Sequence, residues 1–273
     1  MTLVFSIPVG LTPEITGMVA VILGASGMMS GLSGFGFSAI GAICLWLLPP
    51  TLAVPLLMTL STANQLMSIG QLKADMKPLR EWWPDGPGPY LLGGLFGIPV
   101  GLWVLHSLPT PILMSVFGGF LVGYAAYSLL KPDSLRVLCR SRWPLSILVG
   151  MVGGVIGGFT AFPGAAVVIW SGLRGLSKRE TRAIVQPYIL GLQIVALAIL
   201  AVGHPATFGG KFWFLLTVTL PIVLPCTFLG VRLYKTLSEI NFRRIAFMLL
   251  GTSGFGILAK GLMITAIVGA AMH

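Results

Sequence analysis

The sequence predicts an all-α polytopic membrane protein built from two inverted repeats. Each repeat is a glycine-broken helical hairpin, re-entrant or short, followed by three transmembrane helices. Three observations carry this reading. The 273 residues are 56% hydrophobic and only 9% charged, whereas a soluble domain is about 25% charged. The apolar stretches are continuous rather than alternating, which excludes a barrel and leaves helices as the way to satisfy each backbone group in hydrocarbon. Glycine-rich interruptions occur at two related places, "SGLSGFGFS" (30–38) and "GMVGGVIGGFTAFPG" (150–164).

In chain order, the apolar segments are 15–31, 35–49, 52–70, 88–107, 110–130, 145–158, 162–173, 183–203, 212–233 and 244–270. A spanning helix needs about 20 residues. Segments 35–49, 145–158 and 162–173 are short for that, and 15–31 is borderline. The short segments are those that flank the two breaks. The opening stretch "MTLVFSIPVGLTPEITG" lacks a basic n-region and is interrupted by Pro8 and Pro13, so it does not read as a cleaved signal.

Lys and Arg orient the chain through the positive-inside rule. They cluster in loops 73–80, 131–142, 174–182 and 232–244, leaving only Lys211 and Lys260 outside. All four clusters are cytoplasmic, in a bacterial inner membrane, only if residues 143–173 leave and return to the same side. A re-entrant pair is favoured over two short spans, because segments this short do not cross comfortably. Both termini are then periplasmic. Segments 52–70, 88–107 and 110–130 run opposite to 183–203, 212–233 and 244–270. The halves, 1–142 and 143–273, form an inverted repeat within one integrated membrane domain, a transporter plan.

The glycines support the repeat. Gly27, Gly31, Gly34 and Gly41-Ala42 recur as Gly150, Gly154, Gly157 and Gly164-Ala165 at a constant offset of 123. Small-residue helix packing is the bland explanation. A functional break accounts in addition for the short neighbours and the local Ser and Thr. A break inside the bilayer frees backbone donors that must be buried in protein or face a wet cavity. A helix start attracts anions, and glycine lets the backbone approach a ligand closely. Pro163 suits the first turn of such a helix.

The candidate substrate-binding residues are therefore Ser33, Gly34, Phe35, Gly36 and Ser38 at the first break. At the second they are Thr160, Ala161, Phe162 and Gly164. Thr62, Asn64 and Gln65 join them from segment 52–70, beside Ser61, and Gln186, Tyr188 and Gln193 from segment 183–203. Ser and Thr in membrane helices ordinarily bond their own backbone. Amides deep in hydrocarbon need partners, and they either glue helices together or line a site.

Charge decides what kind of ligand fits. Glu14, Asp75, Glu81, Asp85, Asp133, Glu180 and Glu239 all fall in or beside loops. Cation transporters and proton pumps place carboxylates at mid-membrane; a carboxylate-free interior suits a small anion held by neutral donors. Lys260 is the one charge within a nominal span, read as snorkelling to the outer interface, with a place facing an anion pathway as the alternative. Arg174 and Arg182 follow the second break closely and read as ordinary cytoplasmic charges, with guidance of a cytoplasmic anion inward as the alternative. The net charge of +10 is scattered in loops with no basic groove, so nucleic acid is not a partner; membrane lipids are, and a homodimer is compatible with the plan. Cys44, Cys139 and Cys226 have no pairing or metal spacing, and His106, His204 and His273 no ligating neighbour. Neither a metal nor another cofactor is expected. A lipid-modifying enzyme would need clustered Asp, Glu or His. A scaffold would have little use for broken helices.

Two stretches, "GLSGFGFSAIGAICLWLLPPTLAVPLLMTLSTANQ" and "GGVIGGFTAFPGAAVVIWSGLRGLSKRETRAIVQPYILGLQ", each join a glycine-rich break to an apolar run and a further polar-centred segment. In this the chain resembles the sulfite exporter TauE/SafE family over nearly its whole length. The family pattern carries a proline after the break. Pro163 matches it, while Ile40 stands where the offset of 123 would place a proline in the first half. The resemblance implies movement of sulfur-containing anions, such as sulfite or an organosulfonate like sulfoacetate. Transport of another small anion or a carboxylate, as a carrier or a channel, is the alternative.

Overall fold

A computed structural model describes residues 10–71, 78, 81–130, 143–234, 251 and 254–264. The basic loop 131–142, nearly all of 73–80 and most of 232–244 lie outside the described residues. The described chain is all-helical. Helix α1 covers Pro13–Ser33, α2 Phe37–Gly41 with a 3-10 continuation Ala42–Trp46, and α3 Pro50–Gln71. Helices α4 (Gly88–Ser107) and α5 (Thr110–Leu130) complete the first half. The second half holds α6 (Trp143–Thr160), α7 (Gly164–Leu173), α8 (Lys178–Gly203), α9 (Gly210–Tyr234) and α10 (Gly254–Ile264). Seven of the described helices are long and apolar enough to cross a membrane. Large apolar side chains such as Val21, Phe96 and Trp103 project outward. The chain is a multi-pass membrane protein.

The helix ends follow from local chemistry. Thr12 precedes α1, and its hydroxyl accepts the Ile15 amide at 3.2 Å, with Pro13 in the first turn. Ser177 opens α8 with a capping box: its hydroxyl accepts the Glu180 amide while Glu180 accepts the Ser177 amide at 2.8 Å. That box starts α8 at Lys178, five residues before the apolar segment read from hydropathy.

Both breaks are present, and their arms are unequal. The first arm of each is full length: α1 has 21 residues and α6 has 18, or about 27 Å for α6 at 1.5 Å per residue. This corrects the expectation that residues 145–158 form a short arm, because the helix gains a turn from Trp143-Pro144 and from Phe159-Thr160. Only the second arms are short. Phe37–Trp46 and Gly164–Leu173 reach roughly half of a hydrocarbon core about 30 Å thick.

Glycine seams set the packing. Gly93, Gly97 and Gly101 of α4 lie against Ile147, Met151 and Val155 of α6, and Gly150, Gly154 and Gly158 lie against Tyr90, Gly94 and Gly101. The partners advance together, so α4 and α6 run parallel in backbone contact. Gly27 and Gly31 of α1 meet Val223, Thr227 and Gly230 of α9 in the same parallel sense. Each broken helix thus packs on a helix from the other half. Helix α8 lies parallel to α4 (Tyr188 and Leu192 meet Gly94, and the His106 and His204 rings stack at 3.8 Å). Helix α10 runs antiparallel to α5, with Gly254 near Gly118 and Gly261 near Ser115. Helices α3 and α8 carry much of the core, with Leu60, Tyr188 and Leu192 fully buried.

The glycines matched at an offset of 123 serve these seams more than the breaks. Gly34 is the turn itself, whereas its partner Gly157 lies inside α6 against Pro163. If close backbone approach holds the seam, Gly97→Val, whose Cβ would overlap the Met151 carbonyl, lowers stability by about 1–3 kcal/mol or more. Gly119→Ala, with nothing within 4 Å, leaves it unchanged or slightly raised; thermal unfolding in detergent measures both.

Candidate functional site

The two breaks share one local design. Helix α1 ends at Gly34 in the left-handed region (φ 85°), and its amide bonds the Ser30 carbonyl at 2.7 Å. Ser33 donates its hydroxyl to the Met29 carbonyl at 2.9 Å and accepts the amides of Phe35 and Gly36. At the second break Ala161 takes the left-handed role (φ 58°) and its amide bonds the Gly157 carbonyl. Thr160 donates to the Ile156 carbonyl at 2.6 Å and accepts the Phe162 amide at 3.1 Å. Ser33-Gly34 therefore corresponds to Thr160-Ala161, an offset of 127 rather than 123. In that register Pro163, the residue preceding α7, matches Gly36, the residue preceding α2; the proline has its counterpart at Gly36, not Ile40. Ala161 bears a side chain where left-handed backbone disfavours one, by roughly 1–2 kcal/mol.

The carbonyls of these two turn residues are held alike. Gln65 of α3 donates its amide to the Gly34 carbonyl at 3.0 Å, and Gln193 of α8 donates to the Ala161 carbonyl at 3.3 Å. Ser38, on the first short arm, donates to the same Ala161 carbonyl and joins the two breaks. Asn64 donates to the Ser30 hydroxyl. The remaining amide oxygens of Asn64, Gln65 and Gln193, both polar atoms of Gln186 and the Ser68 hydroxyl find no protein partner among the described residues. All five residues are at most 2% exposed. Buried polar groups of this kind are ordinarily bonded.

The other expected residues divide in two. Thr62 bonds its own backbone, to the Met58 carbonyl at 2.7 Å. Tyr188 donates to the Gly150 carbonyl at 2.7 Å and meets the Tyr90 ring edge-on, tying α8 to α6 and α4. A methyl on Gly164 would meet Ile189 of α8 at 2.7 Å, so this glycine brings the two helices together. Phe162 is buried against Phe120 and Tyr124 of α5, while Phe35 is half-buried. A methyl on Gly36 would lie 3.0 Å from the Ser33 hydroxyl. The amides of Gly164, Ala165 and Ala166 open α7 and have no acceptor within that helix.

Two cations hold backbone carbonyls that their sequence reading did not name. Arg182 is only 4% exposed, and its Nη2 donates to the Gly31 carbonyl at 2.9 Å. Its Nε lies 2.6 Å from where a Cβ on Gly34 would be, so the first break accommodates the guanidinium only because residue 34 is glycine. The legible signal was the Ser177–Glu180 capping box, which puts Arg182 a full turn inside α8. Lys260 Nζ donates to the Trp46 carbonyl at 2.8 Å and the Leu45 carbonyl at 3.4 Å, and lies over the Trp46 ring. It caps the end of the first short arm, where carbonyls lack helical partners. Arg174, at the end of α7, bonds the Tyr90 hydroxyl at 3.3 Å and pairs with Asp85 at 3.8 Å.

The doubly held Ala161 carbonyl offers a test. Ser38→Ala or Gln193→Leu alone removes one bond, each lowering stability by about 0.5–1.5 kcal/mol. Together they orphan the carbonyl and exceed the sum of the single effects, as a double-mutant cycle of unfolding measures.

No curated protein and no solved structure matches the chain. The family model described as Sulfite exporter TauE/SafE matches residues 18–257, both breaks and the helices that carry the buried amides included, and the chain belongs to that family of membrane transporters.

Proposed function

We propose that the protein exports a small sulfur-containing anion, sulfite or an organosulfonate such as sulfoacetate, across a bacterial inner membrane, binding it between the two breaks. One observation carries the reading. The breaks are joined through Ser38 and Ala161 and surrounded by buried amides with unpartnered polar atoms. The described carboxylates, Glu14, Glu81, Asp85 and Glu180, lie at helix starts or in connectors. No described carboxylate faces the breaks to repel an anion; Gln186 and Ser68 keep free donors for one, and the free amide oxygens of Asn64, Gln65 and Gln193, which only accept, suit a protonated oxyanion or a hydroxylated substrate.

The directions of the helices support alternating access between inverted halves. Helix α9 turns back from α8 through His204–Gly209. Parallel to α9, α1 then runs opposite to α4, α6 and α8. The two broken helices are thus opposed, as an inverted repeat requires. Arg182 and Arg232 gather where α1 and α9 end, which agrees with a cytoplasmic face there and periplasmic termini. Rocking of the glycine-seamed pairs, α1 with α9 and α4 with α6, exposes the anion to one side and then the other. A potential negative inside favours exit by about 2.3 kcal/mol per charge per 100 mV, so export proceeds without a coupling ion.

In proteoliposomes loaded with sulfite, an imposed potential negative inside accelerates efflux, and collapsing it slows efflux towards the rate set by the gradient alone. Absence of anion flux, or movement of cations in its place, refutes the reading.

A further inference from the structure

We propose that Arg182 is the charge partner of the transported anion, with Gln186 its neutral co-ligand, so that the anion sits between the two breaks but nearer the first. This rests on the transport reading above and deepens it.

The argument begins with the dipoles. The first break follows the end of α1, where unsatisfied carbonyls carry partial negative charge. The arm that follows it is only five α-helical residues before the 3-10 turn, too short to supply a strong opposing helix start. Left to its backbone, this break repels an anion. Arg182 reverses the sign. Its guanidinium is buried against the break, bonded to the Gly31 carbonyl and packed on Gly34. A full positive charge outweighs the partial charge of a helix end, about half a unit.

The geometry of α8 then places the co-ligand. Arg182, Gln186, Ile189 and Gln193 share one face of the helix. Arg182 touches the first break, Ile189 borders Gly164 at the start of α7, and Gln193 bonds Ala161 at the second break. Gln186 stands between them, wholly buried, with neither end of its amide bonded among the described residues. An amide there donates to an oxyanion one turn from a guanidinium, whose planar fork matches such oxygens. Asn64 and Gln65 contribute their free oxygens to the same end of the site, which a protonated oxyanion or a hydroxylated substrate can meet. Among the described residues the second break has no counterpart to Arg182: in the register of the α3 and α8 glutamines, offset by 128, that position is Val54.

The test uses full-length protein in proteoliposomes with sulfite, comparing wild type, Arg182→Lys, Arg182→Gln and Gln186→Leu, alongside thermal unfolding with and without sulfite. Arg182→Lys keeps its maximal rate with KM raised about 10-fold, because charge persists while the fork is lost. Arg182→Gln loses about 100-fold or more in flux per sulfite concentration, and sulfite no longer stabilises it. Gln186→Leu raises KM at an unchanged maximal rate. An unchanged KM in Arg182→Gln, or an Arg182→Lys as inactive as Arg182→Gln, overturns the proposal while leaving sulfite transport standing. Should Arg182→Gln not fold, unchanged KM in both Arg182→Lys and Gln186→Leu overturns it equally. If wild type carries no sulfite, stabilisation by sulfate, ethanesulfonate or acetate that the Arg182 variants lose sustains Arg182 as an anion site apart from that substrate. No stabilisation by any of these anions rejects both readings.

Discussion

A helix interrupted inside hydrocarbon must find partners for the backbone groups it releases, because no water is there to take them. The disposition of this molecule's buried polar residues follows from that requirement. Ser33 and Thr160 take up the amides just past each turn. Gln65 and Gln193 hold the carbonyls of the turn residues, with Ser38 adding a second bond at Ala161. Arg182 and Lys260 take carbonyls at the ends of α1 and of the first short arm. In the middle of α4 polar side chains are scarce and glycine takes their place.

The glycines solve the complementary problem of holding full-length helices together where lipid is as apolar as leucine. Without a hydrophobic drive between helices, close backbone approach supplies dispersion contacts that larger residues would block. Gly93, Gly97 and Gly101 against α6, and Gly27 and Gly31 against α9, provide two such seams. Each seam joins a broken helix to an unbroken helix of the other half. Neither half therefore holds its own break alone, and the short arms are framed by elements from both.

Local similarity of the two breaks coexists with electrostatic asymmetry. The left-handed turn, the hydroxyl before it and the glutamine over its carbonyl recur in both. Among the described residues the guanidinium and the Asn64–Ser30 pair lie at the first, while the second is backed by the aromatic cluster of Phe120, Tyr124 and Phe162.

Composition and hydropathy alone determined a helical membrane protein with two interruptions, because continuous apolar runs and the lack of charge leave hydrocarbon no other solution. The amides Asn64, Gln65, Gln186 and Gln193 were legible for the same reason: their burial cost stands out in any apolar run. Which of them would meet the breaks was decided by tertiary structure, since Gln65 lies 31 residues from its partner Gly34 and Gln193 lies 32 from Ala161. Tyr188 and Thr62 were expected beside them, yet folding turned one to Gly150 and left the other, like an ordinary membrane threonine, bonded to its own helix. The offset of 123 read from the glycines misses the offset of 127 between the two turns because those glycines serve helix seams, and seam spacing is set by the partner helix rather than by the break. Arg182 reads as one more cytoplasmic charge until α8 is seen to begin at Lys178 and to lie across the end of α1. A positive charge's role depends on what surrounds it, and that is known only once distant segments are brought together.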